Sequence, residues 1–222
     1  QMCIRDSNYT LYEIRLNNAS LNMSNHAQPY ASGDLEIYAY NGSALELHNV
    51  TRVNDSVSID IKGYEHSQIR IYDSNITSLT CENCHVYMRS VAINREREDS
   101  NVYALNSTMK MHHSVIGTIY LSNVELSANT SIIGSIDIVS GSIILDNCTV
   151  NDYISIGDFI AGLEGLLYEC NVQILNNSNI SEFRSMALGS IYIEDSIIGS
   201  IYSAFQTVQI TRSLIGFVLN TT

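Results

Sequence analysis

Apolar residues recur in this chain on two length scales. Locally they alternate with other residues: Ile69 and Ile71 flank Arg70, Met109 and Met111 flank Lys110, Ile191 and Ile193 flank Tyr192, and Val208 and Ile210 flank Gln209. A period of two puts successive side chains on opposite faces of a strand. Over a longer span whole phrases return. Ser114 opens SVIGTIYLSNVELSANT, Ser131 opens SIIGSIDIVSGSIILDN, Ser196 opens SIIGSIYSAFQTVQITR and Ser213 opens SLIGFVLNTT. The complete copies are equal in length, so the chain reads as a repeat protein made of strands.

With the opening Ser as a ruler, coils begin at Ser56, Ser74, Ser90, Ser114, Ser131, Cys148, Ser178, Ser196 and Ser213. Two residues on stands an apolar column, Ile76, Ile116, Ile133, Val150, Ile180, Ile198 and Ile215; three further on stands another, Leu79, Ile119, Ile136, Tyr153, Phe183, Ile201 and Val218. The outward column between the alternating apolar residues reads Glu46, Arg70, Tyr87, Lys110, Glu125, Ile144, Gln173, Tyr192 and Gln209. Asp73, Asn147, Asn177 and Asp195 precede the marker, where a corner favours short side chains that hydrogen-bond their own backbone. Gly117, Gly134, Gly199 and Gly216 share a column, which predicts a bend where a Cβ would be awkward. One coil cannot bury its own apolar side; its neighbours must, at a spacing of about 4.8 Å.

These columns resemble the right-handed parallel β-helix superfamily, which includes pectate-lyase-like enzymes, surface adhesin passengers and, at similar coil length, bactofilin-type polymerising proteins. The resemblance covers about residues 34–222 and rests on SVIGTI, the two copies of SIIGSI and SLIGFV. A left-handed hexapeptide helix would carry an aliphatic-Gly step three times per coil; here it comes once, which favours the right hand. The expected fold is therefore all-β, a right-handed parallel β-helix (solenoid) with coils of about 17 residues. Residues 1–7 read as a leader outside the fold, 8–33 as an irregular strand and loop, and 34–222 as the solenoid, truncated at both ends with further coils beyond each. Three stretches break the rhythm, at 50–55, 94–101 and 155–169.

A net charge of −12 with only two lysines, Lys62 and Lys110, disfavours nucleic acid and anionic membrane surfaces; cations or neutral glycans are easier companions. No apolar run is long enough to span a membrane. CENCH, from Cys81 to His85, matches the attachment pattern of c-type haem, but a regular coil offers no pocket for a macrocycle. Zinc held with His112 or His113 is the other ligand reading. Cys84 precedes Val86 and Met88 as Ser67 precedes Ile69 and Ile71, so Cys81 and Cys84 read first as a local disulfide or as buried thiols, and no cofactor is expected. Cys148 takes a marker place and Cys170 falls near the ladder of Cys84; in an exported protein these two could pair across 155–169.

Thirteen Asn-x-Ser/Thr strings occur, Asn41, Asn106 and Asn129 among their acceptors, against about four expected by chance from 22 Asn and 41 Ser plus Thr. Asn-rich corners generate such strings by themselves, and use as glycan acceptors would place the chain outside the cell. Polygalacturonase-like members of the superfamily carry paired-Asp and Gly-His-Gly signatures; neither is found here, so no catalytic residue carries over. The leading expectation is a noncatalytic extracellular or cell-surface solenoid, serving as stalk, adhesin segment or glycan-contacting surface, with glycans or other surface proteins as partners. A fragment of a polysaccharide lyase or hydrolase and a polymer-forming cytoskeletal β-helix are the alternatives.

Overall fold

The computed structural model describes residues 2–4, 13–24, 27–28, 35–52, 58–93, 101–157, 169–204 and 206–221. Every regular element among them is a strand, and none is a helix long and apolar enough to cross a membrane. The strands form two large parallel sheets, of 11 and 14 strands, and a two-stranded pair, Ala27–Gln28 with Thr51–Arg52. The chain alternates between the large sheets, one strand in each per coil, and this is a parallel β-helix.

Register follows the repeat. Ile116 lies beside Ile133, and Ile119 beside Ile136, each one repeat further on. The first inward column runs Ile76, Ile93, Ile116, Ile133, Val150, Ile180, Ile198 and Ile215. All but Ile215 are buried, and Ile215 packs partly buried against the core. On the 11-stranded sheet Leu45, Leu47, Ile69, Ile71, Met109, Met111, Ile143, Leu145, Ile191 and Ile193 are buried as the alternation predicts. In the last strand of that sheet Val208 is only partly buried, and Ile210 is 41% exposed.

The marker serine has a defined task. Ser131 Oγ accepts a hydrogen bond from Ser114 N of the preceding coil at 3.2 Å and donates to Asn129 O at 2.9 Å. Ser74, Ser114, Ser178 and Ser213 stitch the coils in the same way. Just before each marker the chain passes through the left-handed region, at Asn49, Asp73, Ser90, His113, Thr130, Asn147, Asn177, Asp195 and Arg212. A second left-handed column, Asn18, Gly42, His66, Asn83, Asn106 and Asn123, forms the opposite corner. At the glycine bend a Cβ on Gly199 would lie 2.3 Å from Ser181 O, and one on Gly216 2.4 Å from Gly199 O. Glycine is needed there for close approach between coils.

Several expectations are corrected. The solenoid reaches further toward the N-terminus than residue 34: Met2–Ile4 pairs with Ser20–Ser24, Glu13–Asn17 pairs with Leu35–Tyr40, and Ile14, Leu16, Leu21 and Met23 are buried. Tyr153 does not point inward; Ile154 is the partner of Ile136 and Phe183, because this coil has one more residue between Val150 and its inward place. Ser90 is exposed at the corner and Val91 takes the marker place, with Val91 N donating to Ser114 Oγ. Ser127, not Glu125, lies between Lys110 and Ile144. Residues 155–157, expected to belong to an excursion, lie in the coil, since Ile154–Ile156 is a buried strand and Gly157 N donates to Ile138 O. Ser56 and residues 94–100 lie outside the described residues, as do 158–168 and 53–57.

Candidate functional site: the asparagine edge

The corner that carries Asn83, Asn106 and Asn123 is the place where surface depressions gather. Each turn follows a strand of the 14-stranded sheet whose last inward residue is small in the early coils: Ala39, Gly63, Cys81 and Ala104 are register partners in one column, followed by Leu121. The chain then takes up a left-handed residue and starts the strand of the other sheet. Asn meets that backbone requirement at lower cost than most side chains and leaves a planar amide at the surface.

Three hollows follow one another along this edge. One of about 690 Å³ lies among Asn41, Gly42, Glu65, His66 and Asn83. The next, about 380 Å³, shares His66 and Asn83 and adds His85, Asn106, Thr108 and Glu125. The third, about 360 Å³, lies on the 14-stranded side of the same ridge, among Glu82, Tyr103, Leu105, Tyr120, Asp137 and Val139. No Lys or Arg is among the described residues lining any of the three.

The walls are ordered by side-chain contacts between coils. Asn123 Nδ2 donates to Asn106 Oδ1 at 2.9 Å, and His85 Nδ1 shares a hydrogen bond with Thr108 Oγ1 at 2.6 Å. Tyr103 and Tyr120 stack with ring centroids 4.8 Å apart and planes 11° from parallel. Tyr103 is 44% exposed. Burial, with the neighbouring Tyr103 and Asp137, raises the Tyr120 pKa, so its phenol keeps its proton and remains a donor. Asp137 is buried and accepts a hydrogen bond from Tyr153 at 3.3 Å, while the Arg184 guanidinium lies 5.8 Å from the Tyr153 ring centre.

The residues singled out in the sequence divide between two corners. Cys81 and Cys84 meet sulfur to sulfur as a disulfide across the ridge, Cys84 in the ladder of Ser67 and Ser107. Cys84, His85 and Asn106 all line the middle hollow, and Asn41 lies further along the same edge with Nδ2 donating to Asn17 Oδ1 at 2.8 Å. Asn129 belongs to the other corner, where it donates to Asp146 Oδ2 at 3.1 Å and accepts from Thr130 Oγ1. His112 and His113 are also at that corner, and no zinc set forms: among the described residues no three His, Cys, Asp or Glu group to hold a metal. Cys148 and Cys170 do not pair. Both are free and buried, Cys148 in the marker ladder and Cys170 beside Gly141 and Gly189 at the asparagine edge, on the ladder of Cys84.

Asn83, Asn123, Thr108, Glu125 and the tyrosine pair were not among the candidate site residues of the sequence, although Asn83 lies within CENCH and Glu125 was placed in the outward column. The signal was present for the amides, which recur at the same corner once per coil: Asn83, Asn106, Asn123. A second ring ladder, His48, Tyr72, Tyr87 and His112, covers the 11-stranded sheet with centroid separations of 4.5, 5.7 and 5.7 Å. Only His48 and Tyr72 stack face to face, the other two pairs being tilted by 49° and 43°, and these rings border no hollow described above. No protein-family model matches the chain, and neither a curated protein nor a solved structure matches it significantly.

Proposed function

We propose that this protein is a noncatalytic extracellular or cell-surface solenoid that contacts glycans along its asparagine edge. The observation that carries the reading is the alignment of the three hollows on one edge, lined by amides, imidazoles, hydroxyls and stacked tyrosines without a described cation. Amides and hydroxyls both donate and accept, as sugar hydroxyls do, and carboxylates such as Glu125 accept. Tyrosine offers a rigid apolar face with a polar tip. An extracellular setting is supported by the Cys81–Cys84 disulfide, since such bonds persist in oxidising compartments. Asn-x-Ser/Thr acceptors exposed at corners away from the hollows, among them Asn18 and Asn147, support that setting too.

The test is electrophoresis of the protein through gels cast with neutral or acidic polysaccharides, with parallel assay of the polysaccharide for chain cleavage. Retardation by a polysaccharide without release of products is the expected result. Release of products would replace the reading with that of a polysaccharide lyase or hydrolase, and free migration in every gel would remove glycan contact.

A further inference from the structure

The hollow on the 14-stranded side of the ridge differs in chemistry from the two that border the amides. Its walls are mainly apolar and aromatic, and its only acids, Glu82 and Asp137, stand at opposite ends. Thr80, Tyr103, Tyr120 and Asp137 are register partners in four successive coils, and Glu82 belongs to the coil of Thr80. Along the axis the order is therefore acid, ring, ring, acid. Tyr103 and Tyr120 stack nearly parallel at about one coil's spacing, so each turns its other face along the axis. That of Tyr103 looks toward the coil of Glu82, where the small Thr80 takes the place of a third ring. Asn101 Nδ2 donates to the Tyr103 hydroxyl at 3.3 Å and holds the ring in this attitude. Leu105, 39% exposed, and Val139 complete the apolar wall.

We infer that this hollow binds an aliphatic chain carrying an ammonium group at each end. One cation lies between Glu82 and the outer face of Tyr103, and the other lies at Asp137. A carboxylate and an aromatic face both attract an ammonium group, and alkylamines are protonated at neutral pH as lysine is. Asp137 is buried and accepts from the Tyr153 hydroxyl at 3.3 Å. A carboxylate has room for further donors beside such a bond, and an enclosed one gains most from an opposite charge. The methylene groups between the cations cover Leu105, Val139 and the ring edges. Glu82 and Asp137 are three coil steps apart, about 14 Å along the axis. An extended chain covers ~1.2 Å per bond, and each ion contact takes up to about 2.8 Å, so about six to ten methylene groups bridge the acids. The inference does not rest on the glycan reading, since it concerns one hollow and a ligand of different chemistry.

The experiment is calorimetric titration of the whole chain, at neutral pH and low salt, with α,ω-diaminoalkanes from diaminobutane to diaminododecane. Monoalkylamines of matching length, α,ω-dicarboxylates and spermine serve as comparisons. Affinity should peak between diaminohexane and diaminodecane, with the matching monoalkylamine at least about tenfold weaker and the dicarboxylates not bound. Glu82→Gln and Tyr103→Ala, both at exposed positions, should each weaken the best diamine about tenfold. Asp73→Asn, which removes the same charge at the opposite corner, should leave it unchanged. Unfolding midpoints check that the variants are intact, and the isosteric Glu82→Gln carries the test should Tyr103→Ala lower its own. Affinity that follows the charge of the probe whatever its length, with spermine above every diamine, or that falls as much with Asp73→Asn, is mere attraction to an acidic chain and overturns the inference. A monoalkylamine that binds as tightly as the best diamine overturns it as well, as does the absence of binding throughout the series. The polysaccharide gels are read separately, so each reading can fail without the other.

Discussion

At the scale of single residues the fold depends on a few atoms that join one coil to the next. Ser131 Oγ is such an atom, accepting from one coil and donating within its own. Ser131→Ala leaves the buried Ser114 N–H without its acceptor and should cost about 1–3 kcal/mol in urea unfolding. Ser131→Cys should cost less, because Cys148 fills the equivalent place with its Sγ 3.4 Å from Asp146 O. Burial pushes the thiols of Cys148 and Cys170 up, that of Cys170 to about 12. The folded protein keeps these protons at a pH where an unfolded thiol, with pKa about 8.5, loses them. The stability that the Cys170 thiol contributes is therefore intact below that value and falls as pH rises toward 12, by up to ~1.4 kcal/mol per pH unit. Unfolding midpoints measured across that range should decline, and less steeply in a Cys170→Ala variant. Tyr153 and Glu125 show where single residues are hard to read. Tyr153 is apolar enough to pass for a core residue, and only the extra residue in its coil moves Ile154 into the column. Glu125 was displaced because Ala128 closes the inward set Val124, Leu126, Ala128, and a small residue marks a buried face weakly.

At the scale of the strand, burial separates neighbours with the same side chain. In Ile132–Ile138 the residue Ile133 is fully buried and Ile132 is 46% exposed. Ile133→Ala should cost roughly 2–5 kcal/mol, and Ile132→Ala under about 0.5 kcal/mol. Equal losses in a denaturant titration would mean the register is wrong. Gly199→Ala tests the bend between strand segments. Its new Cβ would meet Ser181 O, a backbone atom of the neighbouring coil, and a loss of about 1–3 kcal/mol is expected from the forced shift. Strand faces were legible from the sequence because a period of two is enforced wherever one side is core. The candidate site was less so. CENCH drew notice as a string of reactive residues, yet its contribution is positional: it places His85 in a groove shared with Thr108 and Glu125, which belong to the next two coils. Only the stacking of coils brings them together.

At the scale of the whole molecule, two corners with one backbone requirement account for much of the composition. Left-handed turns call for Asn, and the stitched place after them calls for a small residue. Asn106, Ser107, Thr108 and Asn147, Cys148, Thr149 thus spell acceptor strings as a by-product of turning. Mass mapping of protein from an exporting eukaryotic host should find modification confined to exposed corner acceptors such as Asn18 and Asn147, and unmodified protein should fold to the same unfolding midpoint within about 0.5 kcal/mol. The architecture was legible at this scale, because aliphatic columns that recur with every coil leave few other ways to bury themselves. The long insertions were visible only as gaps in the count.

The in-register match of Val115 with Ile132 and of Ile116 with Ile133 makes the molecule editable in whole windings. Excising residues 115–131 would set Ile132 where Val115 was and close the seam without a scar, whereas cutting one residue fewer would turn oily side chains outward from the splice onward. Length is thus a quantity that evolution can dial by duplication or loss, one winding at a time, while leaving every remaining rung where it stood.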